Sequence, residues 1–440
     1  MEFHDKLTIP NLGRMAVMDS VRKSEMDLLA NEYAEKQVSL DLYFNRNMDA
    51  HIEQYFPSES LRSIPVTTLR ILPKFARARM LHYKKAPYRL IGGESAQDYL
   101  DYTYHLDTQC RIASELAWTL GMIHMRSRWN QVKQRIEYDI LPNVKEYFYE
   151  GESVPFGYSY EIDNDANGNK QYVFWSEDRE EQGLHFIFTS DGKVKAVDGN
   201  PEMINIYKVN PISRIIFPYD ASDVARVALQ ACIGFTQVML AIRYQTGSPV
   251  ISGIDQEIPD IPFGIDRLIA LPSDSSFQYI TPNTDINGMI AGIKELLTIT
   301  AQNHNLAINF SQGTTPPSGI ALKIMNLENE EAREADIPII AEFEQERYAV
   351  DKRLLEVHTN RSFSESYAVD FEESSVPQEW ANERNKLEFM LENNLMTREE
   401  LVRYFNPDIT DEELADKMGT LEEEQPQAPT NPLLEALQRG

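Results

Sequence analysis

Residues 222–247 read SDVARVALQACIGFTQVMLAIRYQTG, and they predict a helix around which the rest of the chain is organised. Ser222 suits the start, because its hydroxyl can accept a hydrogen bond from an unpaired amide of the first turn. Gly247 suits the end, because glycine adopts a left-handed conformation without a Cβ clash. The charge-free run from Val227 to Ile242 is shorter than the roughly 20 apolar residues of a membrane span. A helix that is apolar on nearly all sides must be covered on several of them, by a large core or by identical neighbours.

A Pro/Gly-rich insert, a second helix, a loop and a very long helix follow. Residues 247–284 predict a small insert with short edge-like strands, because proline breaks helices and avoids central strands. An amphipathic helix is predicted from Asp285 to about Phe310, and SQGTTPPSG, 311–319, is a loop by composition. Residues 320–358 predict one long helix with a kink at Pro338.

The composition argues against a protein that holds nucleic acid over a broad surface. The 440 residues include 42 Lys and Arg against 69 Asp and Glu, a net charge of −27. Broad phosphate binding needs a basic surface, although an acidic chain can let DNA slide past without holding it. Cys110 and Cys232 lack metal or disulfide spacing, and no signal-peptide pattern precedes them, so we expect a soluble cytosolic product.

The residues before the apolar helix combine helical and β segments. Residues 1–60 predict a polar helical arm packed on a neighbour, and residues 97–150 predict further helix. Residues 153–218 alternate around turns at Asn167-Gly168 and Asp191-Gly192, which predicts an antiparallel β unit. We also predict strands at INIYKVN (204–210) and SRIIFPYD (213–220).

The C-terminal part returns to a strand, SYAVDFEE (366–373), and then to helices. A helix is predicted from about Gln378 to Asn393. Thr397 and Thr410 each precede a glutamate by three positions, the capping-box pattern, so two short helices are expected. The last residues, 425–440, predict a flexible tail.

Two local patterns each admit two interpretations. The stretch 61–90 is basic, which indicates either a contact patch for an acidic partner or phosphate backbone, or side chains paired with acids elsewhere; we favour pairing. Its basic residues are Arg70, Lys74, Arg77, Arg79, Lys84, Lys85 and Arg89.

The first hairpin contains a pattern that matches the opening of a calcium loop, namely Asp163, Asp165, Asn167 and Gly168. Phe174 stands where such a loop needs a bidentate acid, so we favour a polar hairpin tip.

No pattern typical of catalysis, metal binding or cofactor binding occurs in the sequence. It lacks the GxxxxGK[ST] phosphate loop, a zinc-type His/Cys pair and the GxSxG turn. We therefore predict a protein that is not an enzyme and needs no metal or cofactor. A hydrolase that uses two of the many carboxylates is a remote alternative, because nothing selects a pair.

The order of these parts resembles that of the portal (head-to-tail connector) proteins of tailed bacteriophages. The resemblance covers about residues 65–425 and is sharpest in two segments. The first, SGIALKIMNLENEEAREADIPIIAEFEQERYAVDKRLLEVH (318–358), looks like the small-residue, aliphatic start of the family's long helix. The second, VPQEWANERNKLEFMLENNLMTREELVRYFNPDITDEELADKMGTLEEE (376–424), looks like its helical finish.

The resemblance implies an α+β, mainly helical portal-type subunit with wing, stem, clip and small crown, which assembles as a ring, usually of twelve subunits. The implied segments are an N-terminal helical arm (1–60), wing (61–221), first stem helix (222–246), clip (247–284), second stem helix (285–310), tunnel loop (311–319), long kinked wing helix (320–358), wing return strand and helix (359–395), crown (396–424) and flexible tail (425–440).

Three groups of candidate site residues follow from the resemblance. The subunit interface would use apolar positions of the first stem helix, namely Val227, Leu229, Ile233, Phe235, Val238 and Leu240. The clip, which would contact motor and adaptor, contains Gly253, Ile254, Asp255, Gln256, Glu257, Ile258, Pro259 and Asp260. The tunnel loop nearest the DNA is Ser311, Gln312, Gly313, Thr314, Thr315, Pro316, Pro317, Ser318 and Gly319. Because this loop has no Lys or Arg, we expect steric lining rather than attraction of phosphates.

The implied function is a channel at one capsid vertex for packaging and ejecting double-stranded DNA, without sequence specificity. The implied partners are the terminase motor, then the head-tail adaptor, with the major capsid protein and scaffolding protein around the ring; no membrane is involved. The protein would be made and assembled in the host bacterial cytoplasm and reside in the virion. The alternative is another structural capsid or neck assembly protein without a continuous channel.

Overall fold

The structure is a computed structural model in which most of the chain is described. The described residues are 7–9, 17–18, 21, 27–56, 65–165, 168–177, 183–244, 248–252, 276–280, 285–306, 319–371, 387, 389–391, 393, 395–405, 414 and 417. The chain divides into two units. The first comprises Met1–Pro316 and Ile324–Glu373, and the second comprises Pro317–Lys323 and Ser374–Gly440.

The helices have the following bounds: α1 (Asp27–Phe44), α2 (Met48–Glu53), α3 (Ile71–Arg79), α4 (Gln97–Leu100), α5 (Leu106–Leu120), α6 (Ser222–Tyr244), α7 (Ile286–Asn303), α8 (Gly319–Thr359) and α9 (Arg398–Phe405). Three predicted helices are thereby confirmed, namely those that begin at Ser222, at Asp285 and in the Gly319 region. The second of them ends at Asn303 and not near Phe310, because Asn305 has a positive φ of 56° that a helix does not allow. Helix α8 runs through Pro338. Thr397 forms the predicted capping box with Glu400 ahead of α9.

The strands have the following bounds: β1 (Leu7–Ile9), β2 (Tyr88–Ile91), β3 (Glu94–Ser95), β4 (Met122–Asn130), β5 (Arg135–Leu141), β6 (Val144–Tyr149), β7 (Gly157–Ile162), β8 (Gln171–Ser176), β9 (His185–Thr189), β10 (Val194–Ala196), β11 (Ile212–Ile216), β12 (Ser248–Ser252), β13 (Ser276–Ile280) and β14 (Tyr367–Asp370).

The predicted β unit is present as a six-stranded sheet in the order β1-β6-β7-β8-β9-β10. Strands β6 to β10 pair antiparallel, and both predicted hairpins, β7–β8 and β9–β10, are confirmed. Strand β1 adds to the edge of this sheet in parallel with β6, which the polar composition of 1–60 did not indicate. The remaining sheets are β11-β4-β5, β14-β2-β3 and β12-β13.

Two sequence predictions in this region were wrong. The helix predicted over 97–150 ends at Leu120, because Gly121 has a φ of +80° and the following residues alternate between buried and less buried positions as β4 and β5. Residues 204–210 form turns rather than a strand, because the Asn205 side-chain amide donates to Ser176 and Val209 carbonyls, both at 2.8 Å. Strand β11 pairs with β4 outside the six-stranded sheet.

The long helix α8 is held to the main core by charged side chains that are withdrawn from water. Glu344 is fully buried and accepts from Arg347 of its own helix and from Arg89 of β2, whose Nη2 lies 2.8 Å from Oε1. The hydroxyls of Tyr83 and Tyr367 also donate to Glu344, at 2.8 and 2.7 Å. One carboxylate therefore connects α8 with β2, with β14 and with the segment after α3.

A second carboxylate on the same face of α8 extends this network. Asp351 accepts from Arg347 at 2.7 Å, from Tyr99 of α4 at 2.6 Å and from Tyr138 of β5 at 2.7 Å. Arg347 and Asp351 are both completely buried. Burial alone would raise the pKa of Glu344, but the guanidinium groups of Arg347 and Arg89 offset this and hold the pKa below its ordinary value.

A separate ion cluster joins the six-stranded sheet to the β11-β4-β5 sheet. Glu146 of β6 lies 3.1 Å from His124 Nε2 of β4 and 3.1 Å from Arg214 Nη1 of β11. Burial would raise the pKa of Glu146, yet the hydrogen bond and charge of His124 and the charge of Arg214 lower it to about 2. This carboxylate thus stays ionised while it connects the two sheets.

We predict that Arg347→Met lowers the free energy of unfolding by about 3–5 kcal/mol, because it leaves Glu344 and Asp351 buried with fewer partners. The control is Lys352→Met on the same helix, whose partners are Glu365, 94% exposed, and Glu356, 24% exposed. Such a surface pair contributes at most about 1 kcal/mol. Urea unfolding measures both variants, and equal small losses would contradict the assignment.

We also predict that Glu146→Gln destabilises the protein in a pH-dependent way. The folded-state pKa of about 2 lies below the ordinary value of 4.5, so the stabilisation is fully present above pH 4.5 and is lost as the pH falls toward 2. The difference in unfolding free energy between wild type and variant should therefore shrink from pH 7 to pH 3. A difference that stays constant over this range would show that the carboxylate charge is not the cause.

Candidate functional site

The two helices predicted as a stem form an antiparallel pair. At one end, Asp223 at the start of α6 contacts His304 just after α7, with both carboxylate oxygens 2.9 Å from Nε2. Near the middle, Gly234 faces Ile293: a Cβ built on Gly234 would lie 2.9 Å from the Ile293 Cδ1 atom. The absence of a side chain at position 234 therefore permits the close approach of the helices.

The first half of α6 is embedded in the main core. Its face toward the core carries small buried residues, among them Ala225, Ala228 and Ala231. The backbone of the segment before α3 runs along this helix, since the amide of Thr67 donates to Thr236 Oγ1 at 3.0 Å. The amide of Leu69 contacts Cys232 Sγ at 3.4 Å. Polar groups of the neighbouring chain segment are thus satisfied by α6.

The second half of α6 leaves apolar side chains exposed. Met239 is 44% exposed and Ile242 is 45% exposed. Each lies eleven residues, or three helical turns, after a fully covered alanine, Ala228 or Ala231, and so on the same face of the helix. The face that is buried by the core at the start of α6 is therefore open to solvent at its end. Helix α7 repeats this feature with Leu296 and Ile299, 38% and 46% exposed.

The predicted interface positions differ from these exposed positions. Val238 and Leu240 are already buried within the single chain, at 2% and 8% exposure. Val227, Leu229 and Ile233 are partly buried and packed against the main core, and Phe235 is also only partly exposed. Composition indicated that α6 is apolar on most sides, but only the packing of its neighbours reveals which apolar residues remain uncovered.

The clip and the tunnel loop fall largely on residues outside the described part of the chain. This holds for 253–260 and for 311–318, while Gly319 is the first residue of α8. The two ends of the predicted clip are described. They form the antiparallel pair β12–β13, with Ser248 opposite Ile280 and Ser252 opposite Ser276. An antiparallel pair of strands thus lies between α6 and α7 in the chain.

By length and composition, Ser222–Arg243 of α6 could cross a membrane, with a mean hydropathy of 1.5. The short charge-free run from Val227 to Ile242 was therefore not enough to exclude a membrane span. Within this stretch only 33% is buried inside the chain. A single helix of this kind is weak evidence for a membrane span, and α6 contacts α1, α2, α3, α5 and α7 of its own chain.

The structure favours pairing as the explanation of the basic stretch. Arg79 lies 2.6 Å from Asp336, and Arg89 lies 2.7 Å from Asp107 in addition to its contact with Glu344. Both guanidinium groups are buried. The two most enclosed basic residues of this stretch therefore serve the core of the protein.

The calcium-loop pattern corresponds to a hairpin tip, as we favoured. Asp165 accepts from the backbone amide of Asn169 at 2.8 Å and from its side-chain amide at 2.9 Å. Phe174, at the position of the missing acid, is completely buried in the sheet. Among the described residues, no group of three His, Cys, Asp or Glu side chains is arranged to hold a metal ion.

No family model matches the sequence, and no curated protein matches it. Among solved structures, the chain is similar to a chain of the virion of a native gene transfer agent (GTA) particle, with 12% sequence identity over 81% of this chain and 98% of that chain. The TM-score of this likeness is 0.34.

We predict that Gly234→Leu separates α6 from α7 and lowers the free energy of unfolding by about 1–3 kcal/mol, because the side chain collides with Ile293. Adding Ile293→Ala to the same chain should restore much of the loss. The control is Gly292→Ala, where nothing lies within 4 Å of the added Cβ. There the better helix propensity of alanine should raise stability by up to about 1 kcal/mol. Urea unfolding checks all three, and a Gly234→Leu loss that Ile293→Ala does not relieve would contradict the contact.

Proposed function

We propose that this chain is the subunit of a bacteriophage portal, a non-enzymatic ring at one capsid vertex through which double-stranded DNA is packaged and ejected. In this proposal α6 and α7 are the stem, β12–β13 and the residues between them are the clip, and α8 crosses the wing. The terminase motor and later the head-tail adaptor would dock at the clip. Residues 311–319 would line the channel.

The observation that carries the proposal is the half-covered helix pair. The core of the single chain covers α6 at its start and leaves Met239 and Ile242 open at its end, and α7 likewise exposes Ile299. In a ring each subunit contacts two copies of itself through heterologous contacts that close. Copies on either side would cover these apolar positions without a further partner.

The distribution of charge is consistent with DNA that passes without being held. The net charge is −27, and exposed Glu331, Glu334 and Glu342 follow one face of α8. The most enclosed basic residues of the basic stretch, Arg79 and Arg89, are buried in ion pairs with acids. A surface of this kind offers few cations to phosphates, so a duplex could move past it.

Negative-stain electron microscopy of the purified chain should show rings with a central hole. Ile299→Glu should give folded monomers instead, because a charge replaces an exposed apolar group that the neighbour is proposed to cover. The control is Val132→Glu at a site that is 92% exposed in the β4–β5 turn. Size-exclusion chromatography and circular dichroism measure assembly and fold.

A wild-type chain that stays monomeric at high concentration would contradict the proposed function. So would rings from Ile299→Glu that match the wild type. Val238, one of the interface positions predicted from the sequence, is unsuitable for this test, because it is buried and a glutamate there would disturb the subunit itself. To separate a portal from a structural protein without a channel, a photo-crosslinker at Thr314 should attach to packaged DNA, and its failure to do so would favour the latter.

A further inference from the structure

The exposed members of the basic stretch form a row on helix α3. Arg70 at its start, Lys74 and Arg77 are all exposed, and spacings of four and three residues place them on one face of the helix. Residues 61–90 contain no Asp or Glu that could balance this row from within the stretch. In a chain with a net charge of −27, the row is a local concentration of positive charge.

One residue of this row, Arg77, shares a buried carboxylate with Arg111 of α5. Nε of Arg77 lies 3.6 Å from Oε2 of Glu115, and Nε of Arg111 lies 3.9 Å from Oε1. The Glu115 side chain is only 2% exposed, whereas the side chains of Arg77 and Arg111 are 59% and 45% exposed. Glu115 also accepts a hydrogen bond from the hydroxyl of Tyr43 in α1. Three helices thus fix one carboxylate beneath two exposed guanidinium groups.

The two arginines keep positive charge and hydrogen-bond donors that the described part of the chain does not use. Within the described ranges, neither side chain makes an ion pair or hydrogen bond apart from its contact with Glu115. One carboxylate balances at most one of the two positive charges, and burial raises the pKa of Glu115, so this group loses its negative charge more easily than an exposed glutamate. Each guanidinium has five N–H donors, four of them on its two terminal nitrogens. The ligand that suits this pair is therefore an anion with several acceptor oxygens.

The number of acceptors favours a phosphate group over a carboxylate. A guanidinium binds either group through two parallel hydrogen bonds. One such fork occupies both oxygens of a carboxylate, whereas a terminal phosphate group has three acceptor oxygens and up to about two negative charges near neutral pH. A terminal phosphate can therefore accept from both arginines at once. A phosphodiester of a nucleic acid, which carries one negative charge, matches the pair less well.

We infer that Arg77 and Arg111 bind a terminal phosphate group, as in inorganic phosphate or a nucleotide. In this site Glu115 is a positioning residue, because it restrains both guanidinium groups before the ligand arrives and so lowers the entropy lost on binding. Arg70 and Lys74 add attraction for the anion from the same face of α3. None of the predicted clip, tunnel-loop or interface residues takes part, so this inference does not rest on the proposed ring.

Isothermal titration calorimetry of the full chain tests the site with two probes, inorganic phosphate and metal-free ATP. The double variant Arg77→Gln/Arg111→Gln should weaken binding by at least about tenfold, because it removes both forks. The matched control is Lys195→Gln/Arg226→Gln, which removes two exposed cations from β10 and α6 and should bind like the wild type. Circular dichroism verifies that every variant is folded.

A second double variant, Arg77→Lys/Arg111→Lys, keeps both charges but removes the planar forks. It should weaken binding by about threefold or more, and it decides the matter if the glutamine variant does not fold. Binding of inorganic phosphate supports a site for the phosphate group itself, and binding of ATP alone supports a site for a nucleotide.

Two results would overturn the inference. The first is a wild-type chain that binds neither probe; duplex DNA that binds through the same two arginines would then indicate a phosphodiester site instead. The second is wild-type affinity in a folded arginine variant, because general attraction by charge would then explain the binding.

Discussion

Two guanidinium groups and two carboxylates, all withdrawn from water, connect the middle of the long helix α8 to the rest of the main core. Arg347 lies between Glu344 and Asp351 on one face of α8, while Arg89 reaches Glu344 from β2. Burial of such groups is costly, and replacing a whole buried network with apolar residues is often neutral for stability. What the network does provide is register. A shift of α8 along its axis would separate Glu344 from Arg89 and Asp351 from Tyr99 and Tyr138, although Arg347 would keep both partners on its own helix. The elements on either side of α8, from α4 to β14, depend on this alignment.

The position of the α6–α7 pair depends on that alignment in turn, because the first half of α6 packs on the same core. Small residues let α6 approach the core, and Gly234 lets α7 approach α6. Beyond the core the same apolar faces continue uncovered. The two halves of α6 thus differ, since its own chain covers the first half and the second half leaves Met239 and Ile242 exposed.

Much of the helical part could be predicted from the sequence, because capping residues and period carry local information. Ser222, Asp285 and Thr397 each stand at or next to the start of a helix as predicted, and Asp285 accepts from the Gly288 amide at 2.9 Å. The three strands after Gly121 were mistaken for helix, because apolar residues on both sides of this glycine suggested one continuous period. The ion network could not be predicted, since Arg89 and Glu344 are 255 residues apart in sequence. The exposed positions of α6 and α7 were missed for the same reason, because exposure depends on long-range packing.

In the proposed ring, the uncovered halves of α6 and α7 face identical copies around a channel. Cryo-electron microscopy of the purified full chain, reconstructed without imposed symmetry, tests this most directly. We predict a closed ring in which Met239, Ile242 and Ile299 are covered by neighbouring copies and the axial hole admits duplex DNA. A closed assembly without such a hole, or a ring in which these three side chains stay exposed, would contradict it.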